Sequence, residues 1–575
     1  AEIRPPARSV AGASGNRIRI GAGRITNGGD ETDLVIAFNE QVLLGRVRDD
    51  ELKRGCTILL EGMWRTNKDP QIAASYAEAY DKLVAAGYKV IEVPMERECL
   101  ALVNDARRGK NMFALGMLCS IYSFELELAR EQIAITFGKK EQSVIDANVK
   151  LLDAGHAWAE ANLDFKYRIP ATRSTVPQIV VNGNTALALG VLASGMEICA
   201  MYPITPATSA SHYLSDVFEK MGGMVHQAED EIAACAFAIG ASYAGKCALT
   251  ITSGPGYSLK QEGIGLAVMG EIPLVVVNVQ RGGPSTGQPT KAEQGDLLTA
   301  IFGSHGDAPK VVMAASTIED CFYSIITARK IAETFNMVVV VLTDAGLATS
   351  QQPFPRPQFS ESWLAPPIDQ TPVPTGVKPY DWDKTTGLAQ RFVPGQPGGM
   401  HTLTGLAHDR YGHVAYDPYT NEEGLRMRSL KLAALQKTLK APPVFGKESG
   451  DLLVIGWGST QGAIEESVET LNAEGFKVSS MHLRFLQPLP PGIKEAMRRF
   501  KQVMTIESNW SDSFRDGIID EDNRRYAALA MLLRARYLVD VDCWTEVRGQ
   551  PIKPGTMCRV IREKLNVTKR KATKS

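Results

Sequence analysis

The sequence predicts an α/β protein in which three domains are each built around a parallel sheet. A chain of 575 residues is too long for a single hydrophobic core. Short apolar runs alternate with helical stretches, as in βαβ units, and this pattern starts afresh near residues 33, 178 and 451. Hydrophobic residues make up 44% of the chain and charged residues 22%, so buried cores are expected throughout.

The first predicted domain spans residues 1–170. Its three expected strands are DLVIAF (33–38), CTILLEG (56–62) and YKVIEVPM (88–95). An amphipathic helix is expected near residues 71–86, and further helices follow to about residue 166. The stretch KYRIPATRSTVP (166–177) has the composition of a linker. Because the chain opens with Ala1 and begins its first clear strand late, we expect a preceding segment to be missing.

The second predicted domain spans residues 178–350, and its strands are apolar on both faces, as in a sheet covered by helices on each side. The runs that carry these strands are QIVVNGNTALALGVLASGMEICAMYPITP, CALTITSGPG, IPLVVVNVQRGG, KVVMA and MVVVVLTDAG. Eight prolines between Gln351 and Tyr380 then predict an extended crossing segment rather than a folded element. With a helix near residues 422–439, this segment occupies residues 351–445.

The third predicted domain spans residues 446–565. Its outline is DLLVIGWGS (451–459), a helix at 461–475, KVSSMHLRFLQPLP (477–490), QVMTIESNW (502–510) and ARYLVDVDCW (535–544). The last residues, 566–575, form a basic tail that we expect to be disordered.

Composition narrows the classes of function. The net charge of −1 gives no sign of a nucleic-acid or membrane partner. The apolar runs are too short to cross a bilayer and the N-terminus lacks a signal-peptide pattern, so a cytoplasmic protein is predicted. The nine cysteines are scattered without a CxxC motif, which argues against a metal site or a disulfide framework built by this chain and favours small buried hydrophobes.

Loops after the strands of the middle domain are the candidate site, because ligands of open α/β sheets bind beyond the carboxyl ends of strands. In MYPITPATS (201–209) two prolines favour extended backbone at Tyr202 and Thr205. This loop is either a plain turn or a rigid mount for the Thr205 hydroxyl. The loops TSGPG (252–256), QRGGPSTGQPT (280–290) and TDAG (343–346) are rich in small residues that let backbone approach a ligand.

Arg281 follows an apolar strand and is surrounded by small residues that are expected to leave its guanidinium unobstructed. Such a planar fork suits a carboxylate or phosphate, although a structural role is the alternative. Ser285, Thr286 and Thr290 add hydroxyl groups to the same loop.

Glu231 begins a helix of almost wholly apolar or small residues in HQAEDEIAACAFAIGAS (226–242). Helix capping and the helix dipole explain Glu229 and Asp230. For Glu231 we expect a dry environment that favours the protonated carboxyl, which can donate a proton or a hydrogen bond.

Taken in order, YPITP, E-x8-G-A from Glu231, TSGPG, QRGGPSTGQPT and EQGDL (293–297) resemble the alpha subunit of 2-oxoacid:ferredoxin oxidoreductases. The resemblance is closest to the 2-oxoglutarate type, in which a gamma domain is fused ahead of the alpha part, and it covers nearly the whole chain. It implies a gamma-like first domain, a middle domain that binds the pyrimidine end of thiamine diphosphate, and a last domain like the C-terminal domain of transketolase.

The resemblance implies roles for the matching residues. Glu231 matches the catalytic glutamate that binds the pyrimidine ring nitrogen, and Arg281 matches the arginine that clamps the substrate's 1-carboxylate. Thr205 faces cofactor and substrate, and Thr290 lies near the 2-oxo group. The cofactor-binding set is Tyr202, Pro203, Ile204, Thr205, Glu231, Ser253 and Gly254.

The same resemblance implies that the chain holds half of an active site. Since it lacks a GDG motif followed by Asn and lacks a cysteine cluster, the cofactor's diphosphate, Mg²⁺ and a 4Fe-4S cluster are expected in a beta subunit. Coenzyme A as co-substrate, ferredoxin as electron acceptor and an (alpha-beta)2 heterotetramer are also implied. The Gly-rich loop that opens the gamma domain of relatives is missing, and residues 509–535 depart from the family pattern, so phosphate and coenzyme A contacts are not transferred.

Two alternatives stay open. The first is another 2-oxoacid, such as pyruvate or a branched-chain acid. A cation for the distal carboxylate of 2-oxoglutarate would decide this, and His212, Lys260 and Lys291 are candidates that are otherwise expected to be solvated surface groups. The second alternative is a non-catalytic scaffold subunit, since a fold does not by itself imply a function.

Overall fold

The structure, a computed structural model, describes residues 2–4, 15–105, 109–170, 174–364 and 367–572, with the backbone alone over residues 2–4 and 567–572. Within these ranges no helix is long and apolar enough to span a membrane. The nine cysteines are all unpaired and buried, as predicted. The predicted α/β class is confirmed, with sheets that are mostly parallel.

The N-terminal part contains a parallel three-stranded sheet with helices packed around it. Its strands are β1 (Glu2–Arg4), β2 (Gly15–Arg17), β3 (Thr32–Ala37), β4 (Leu52–Glu61) and β5 (Lys89–Val93). Its helices are α1 (Glu40–Arg48), α2 (Pro70–Ala85), α3 (Met95–Leu100), α4 (Lys110–Ile121), α5 (Leu126–Phe137) and α6 (Gln142–Asn162). The strands β3, β4 and β5 are parallel neighbours in that order, and β1 and β2 form a separate antiparallel ribbon. Helices α4 and α6 pack so closely that a Cβ on Gly155 would lie 2.0 Å from the carbonyl oxygen of Phe113.

The middle part contains the largest sheet of the described chain. Its strands are β6 (Gln178–Asn182), β7 (Ile198–Met201), β8 (Met224–Gln227), β9 (Ala248–Thr252), β10 (Leu274–Gln280), β11 (Val311–Ala314), β12 (Val338–Asp344) and β13 (Gln351–Pro355). Its helices are α7 (Gly183–Ala193), α8 (Thr208–Val217), α9 (Glu231–Tyr243), α10 (Gly254–Leu259), α11 (Gln261–Met269), α12 (Leu297–Phe302), α13 (Ile318–Phe335) and α14 (Ala345–Thr349). The parallel order is β11-β12-β10-β9-β7-β8, and the central strands are buried on both faces because helices cover each side.

The last part contains a second parallel sheet. Its strands are β14 (Val444–Phe445), β15 (Gly450–Trp457), β16 (Val478–Leu483), β17 (Phe485–Gln487), β18 (Phe500–Glu507) and β19 (Val541–Thr545). Its helices are α15 (Pro418–Thr438), α16 (Gln461–Ala473), α17 (Ile493–Met497), α18 (Ala528–Tyr537) and α19 (Pro554–Ala572). The order is β14-β16-β15-β18-β19, with β14 antiparallel, whereas β17 pairs antiparallel with β11 at the edge of the middle sheet.

Three sequence expectations need correction. Part of the segment expected to cross without folding is a strand, because β13 pairs along its whole length with β6, which therefore lies outside the main sheet. The rest of the segment is anchored: Glu271 accepts hydrogen bonds from Trp382 Nε1 (2.8 Å) and from Lys431 Nζ of α15 (2.6 Å), all of them buried. The basic tail continues α19 to Ala572, because lysine, arginine and alanine are good helix formers. Its last three residues lie outside the described ranges.

The linker expected at residues 166–177 has no helix or strand where the structure describes it, and residues 171–173 lie outside the described ranges. The three-stranded sheet lies within residues 1–170, and strands β7–β12 lie within residues 178–350. In the last sheet, β14 (Val444–Phe445) precedes the predicted bound at residue 446, and β17 pairs into the middle sheet. The exact domain bounds stay a prediction.

Candidate functional site

The candidate site lies at the carboxyl ends of β7, β9 and β10, which are neighbours in the middle sheet. Residues 202–207 follow β7, the second half of TSGPG opens α10 after β9, and residues 281–290 follow β10. Because the strands are adjacent and parallel, the three predicted loops converge at one edge of the sheet.

Glu231 is the first residue of α9, and its side chain is buried, with 8% of its surface exposed. The cap of this helix is Asp230, whose side chain accepts a hydrogen bond from the backbone N–H of Ala233 (2.8 Å). Capping therefore does not require Glu231. Its carboxyl lies against Gly256, since a Cβ at that glycine would sit 2.7 Å from Glu231 Cγ and 2.9 Å from Oε1. The TSGPG motif thus provides a flat backbone surface for the carboxyl.

Arg281 joins two of the loops through its guanidinium. Nη1 donates to the carbonyl oxygen of Thr205 (2.7 Å) and Nη2 to that of Thr286 (3.0 Å). The residue is 7% exposed, and burial lowers its pKa against the opposing influence of Asp296 and Glu231. The expectation of an unobstructed guanidinium is wrong, because two of its N–H groups bind main-chain carbonyls. Its Nε is buried and finds no hydrogen-bond partner within the described ranges.

Asn184 of α7 binds the YPITP loop. Its Nδ2 donates to the carbonyl oxygen of Pro206 (2.8 Å) and to Ser209 Oγ (2.7 Å). The Thr205–Pro206 peptide bond is cis, and Thr205 itself is half-buried. Together with the Arg281 contact, these bonds fix the loop at the end of β7.

The remaining predicted residues of the site differ in exposure. Tyr202 is exposed, whereas Pro203, Ile204 and Thr290 are half-buried. Among the described residues, no hydrogen bond links the Thr290 side chain to Thr205, Glu231 or Arg281. The structure therefore brings Thr205 into contact with Arg281 and brings Glu231 against the glycine loop, while Thr290 lies at the far end of its own loop.

Ser253 and Gly254 start the loop after β9. Ser253 is fully buried, and its Oγ has no hydrogen-bond partner in the part of the chain that the structure describes. A Cβ on Gly254 would lie 2.9 Å from Asp296 Oδ2, which accepts a hydrogen bond from Asn278 Nδ2 (3.0 Å). Burial raises the pKa of Asp296. The motif EQGDL contains this second acid, to which the sequence reasoning gave no role.

Lys260 corrects a second expectation, because it is not a solvated surface group. Its side chain is 1% exposed, and Nζ donates to the carbonyl oxygen of Glu231 (2.6 Å). The other two candidates for a distal carboxylate differ from it, since His212 is exposed and Lys291 is half-buried. The apolar spacing of α10 and α11 was the available signal that Lys260 faces inward.

Gln294 links the site to the last sheet and was also missed. Its Nε2 donates to the carbonyl oxygen of Trp457 (2.7 Å), and its Oε1 accepts from the backbone N–H of Ser508 (2.9 Å). Both partners lie at the carboxyl ends of strands, β15 and β18. The segment that carries Asp296 is therefore held between the two sheets.

The orphaned polar atoms test whether a cofactor fits. Ser253 Oγ and Arg281 Nε are buried, lie in the loops after β9 and β10, and have no hydrogen-bond partner among the described residues. Buried polar groups normally have hydrogen-bond partners, so a bound ligand with polar ring atoms would supply the partners that these atoms lack. The site has an acid, hydroxyl groups and a glycine surface, which suits the pyrimidine end of thiamine diphosphate.

Comparisons with known proteins agree with this geometry. The family model "Pyruvate flavodoxin/ferredoxin oxidoreductase, thiamine diP-bdg" matches residues 189–423. Models of pyruvate ferredoxin/flavodoxin oxidoreductase and of core domain II of pyruvate:ferredoxin oxidoreductase match residues 6–158 and 450–541. The matched ranges contain β2–β5, β7–β13 and β15–β18, whereas β1, β6, β14 and all but the first residue of β19 lie outside them.

Individual relatives and a solved structure match the chain over different lengths. The 2-oxoglutarate oxidoreductase subunit KorA of Mycobacterium tuberculosis is 35% identical, over 98% of this chain and 86% of the relative. The 2-oxoglutarate synthase subunit KorA of Archaeoglobus fulgidus is 34% identical over 56% of this chain and 84% of its own. A solved 2-oxoglutarate:ferredoxin oxidoreductase from Magnetococcus marinus, with 2-oxoglutarate, coenzyme A and succinyl-CoA bound, superposes with a TM-score of 0.82 at 32% identity, covering 94% of this chain and 90% of that one. The chain belongs to the 2-oxoacid:ferredoxin oxidoreductase family, which confirms the resemblance found in its motifs.

Proposed function

We propose that this chain is the catalytic alpha-type subunit, with a fused gamma domain, of a 2-oxoglutarate:ferredoxin oxidoreductase. The reaction is the oxidative decarboxylation of 2-oxoglutarate to succinyl-CoA and CO2, with the electrons passed to ferredoxin. A low-potential ferredoxin could drive the same steps in reverse. The observation that carries the proposal is the buried carboxyl of Glu231 against Gly256, beneath two loops that Arg281 joins.

Glu231 is the proposed catalytic residue toward thiamine diphosphate. Tyr202, Pro203, Ile204 and Thr205, with Ser253 and Gly254, would line the pyrimidine end of the cofactor. When bound, this cofactor supplies a carbon nucleophile for the 2-oxo carbon and stabilises the negative charge left when CO2 departs. The part of this chain is to hold the ring and to exchange a proton between Glu231 and the ring nitrogen. A buried carboxyl suits that exchange, because water does not compete for its proton.

Arg281, Thr205 and Thr290 are the proposed substrate contacts. Arg281 Nε is the buried donor that remains free for the 1-carboxylate, since Nη1 and Nη2 each already donate to a loop carbonyl. A charged donor beside a carboxylate forms a short and strong hydrogen bond. Thr290 is proposed to lie near the 2-oxo group once substrate is bound.

The proposal includes a beta subunit that carries the cofactor's diphosphate, Mg²⁺ and a 4Fe-4S cluster, in a cytoplasmic (alpha-beta)2 heterotetramer. One surface of α9 supports a partner here. Ile232 (58% exposed), Ala236 and Gly240 form a stripe without a polar side chain that begins beside Glu231. Contiguous exposed apolar surface of this kind marks interaction sites.

The test is Glu231→Gln in the complex of this chain with its partner subunit. The amide keeps the shape of the side chain but cannot exchange the proton, so we expect turnover to fall by about 10³-fold while the complex still assembles. The measurement is ferredoxin reduction by 2-oxoglutarate and coenzyme A, alongside size-exclusion chromatography. Normal turnover of this variant would remove the assignment of Glu231.

Two alternatives are separated by the same preparation. A panel of 2-oxoacids, including pyruvate and branched-chain acids, tests the substrate, and the highest kcat/KM identifies it. Thiamine diphosphate retained by the purified pair excludes a scaffold subunit. A chain that never pairs and retains no cofactor supports the scaffold.

A further inference from the structure

We propose that Lys260 is a positioning residue for Glu231, which holds the first turn of α9 in place and contributes a positive charge that interacts with the catalytic carboxyl. The inference rests on the proposed function of Glu231 and adds a second residue to it. Lys260 touches neither cofactor nor substrate in this proposal, and acts through Glu231 alone.

The side chain of Lys260 contacts the main chain of Glu231. Its Nζ lies 2.6 Å from the carbonyl oxygen of Glu231, and within the described ranges that oxygen is its one hydrogen-bond acceptor. The backbone N–H of Lys260 donates to the carbonyl oxygen of Gly256 (3.2 Å) at the end of α10. The same short helix therefore contacts Glu231 at two points, through Gly256 at the carboxyl and through Lys260 at the main chain.

Burying a charged ammonium group to bind a single carbonyl oxygen has a high desolvation cost. Burial penalises the ammonium group, and it lowers the pKa of Lys260 accordingly. A neutral donor such as glutamine would satisfy the same oxygen. A lysine at this point is explained by its charge, because a cation next to a buried carboxyl stabilises the ionised form.

The titratable groups around the Lys260 ammonium group are two thiols and two carboxyl groups. Lys260 faces Cys199 on β7, Cys235 on α9, and the two acids Asp230 and Glu231. Burial raises the pKa of Cys199 to about 12 and that of Cys235 to about 11, so both thiols are neutral near pH 7. Arg281 is a further cation that acts on Glu231. Lys260 and Arg281 therefore both interact electrostatically with Glu231.

Three substitutions of Lys260 separate the effect of its hydrogen bond to Glu231 from the effect of its positive charge. Lys260→Arg keeps the donor and the charge, Lys260→Gln keeps a donor without the charge, and Lys260→Met removes both. The matched control is Lys310→Met. Lys310 is also 1% exposed and donates to main-chain carbonyls, those of Ile301 (3.3 Å) and Ala308 (3.2 Å), but it precedes β11 at the opposite end of the sheet.

The experiment measures kcat for 2-oxoglutarate between pH 5.5 and 9 in the assembled complex, with thermal unfolding of each variant. We expect Lys260→Gln to lower kcat at least tenfold at pH 7 and to move the acidic limb of the profile to higher pH by about one unit. Lys260→Arg should keep the wild-type limb. Lys260→Met should show the same displacement with a larger loss, and Lys310→Met should leave the limb unchanged.

The outcomes distinguish this inference from the proposed function. If Glu231→Gln is inactive while Lys260→Gln and Lys260→Arg share the wild-type limb, Lys260 is only a packing residue and the inference fails alone. If Glu231→Gln is active, both fail. If Lys260→Met does not assemble, the comparison of the glutamine and arginine variants still decides, because each keeps a donor for the carbonyl.

Discussion

Gly256→Ala is the substitution that tests the geometry of the site most directly. It adds one methyl group where the structure has none, at a residue inside α10 that needs no special backbone conformation. That methyl carbon would lie 2.2 Å from Thr252 Oγ1, 2.7 Å from Glu231 Cγ and 2.9 Å from Glu231 Oε1. Nonbonded carbon atoms prefer separations of about 3.5 Å or more.

The expected displacement follows from these distances. The Glu231 side chain has to retreat by roughly 0.8 Å, the difference between 2.7 Å and the ~3.5 Å of normal contact. Thr252 is fully buried and cannot simply swing outward. Misplacing a catalytic group by about 1 Å costs about 10² in rate, so kcat should fall by about 100-fold. Overpacking costs about 1–3 kcal/mol, offset by up to about 1 kcal/mol because alanine favours a helix over glycine.

The assay is ferredoxin reduction by the assembled complex, with thermal unfolding of the same sample. Gly265→Ala is the matched control, since it lies in α11 and a Cβ there has no atom within 4 Å. We expect full activity and equal or slightly higher stability for this control. Wild-type kcat for Gly256→Ala would refute the contact between Gly256 and the Glu231 carboxyl, and an equal loss in both variants would show a general effect of alanine in this segment.

Two other substitutions have defined outcomes. Arg281→Ala removes the donors to the Thr205 and Thr286 carbonyls, so kcat/KM for 2-oxoglutarate should fall by at least 10²-fold with a raised KM, and unchanged kinetics would exclude a carboxylate contact. Burial lowers the pKa of Lys310 to about 8, below its ordinary 10.5. The unfolded chain therefore binds more protons between these values, and the unfolding free energy of the wild type should rise by about 3 kcal/mol from pH 8 to 10.5 relative to Lys310→Met. A constant difference between the two proteins across that range would show that Lys310 has an ordinary pKa.

The strands of the two large sheets could be predicted from single apolar runs, because a strand buried on both faces shows itself in its own composition. The pairing of such runs could not. Strand β6 reads like the first strand of the middle sheet, yet it pairs with β13, whose prolines hid it. Strand β17 belongs by sequence to the last sheet and pairs with β11 of the middle one. Both pairings join segments more than 150 residues apart, and no local pattern encodes such a partner.

For the site, the sequence pointed to the loops and to Glu231, because an acid followed by an apolar helix and glycine-rich strand ends are local patterns. The structure brings these loops to one edge of the sheet, and the role of Glu231 stays a prediction. The sequence reasoning failed where a side chain's role depends on what other elements place beside it. Lys260 looks like a surface lysine until the carbonyl of Glu231 is seen above it. Gln294 looks like an ordinary polar loop residue until the strand ends of the last sheet meet it.

The geometry of Arg281 is compatible with both interpretations from the sequence, a structural role and a carboxylate contact. A guanidinium has five N–H donors, and a substrate carboxylate needs two of them on one edge. The Thr205 and Thr286 carbonyls each take one donor from a different terminal nitrogen, and Nε has no partner. Among the described residues, Nε is thus a buried donor without an acceptor, while the loop contacts hold the plane of the group fixed. In the proposed function, the structural tie and the carboxylate contact would use different donors of Arg281, and the two loop contacts would fix the direction of the remaining donor. Lysine, with a single nitrogen on a flexible stem, can reproduce the charge but not this division of donors.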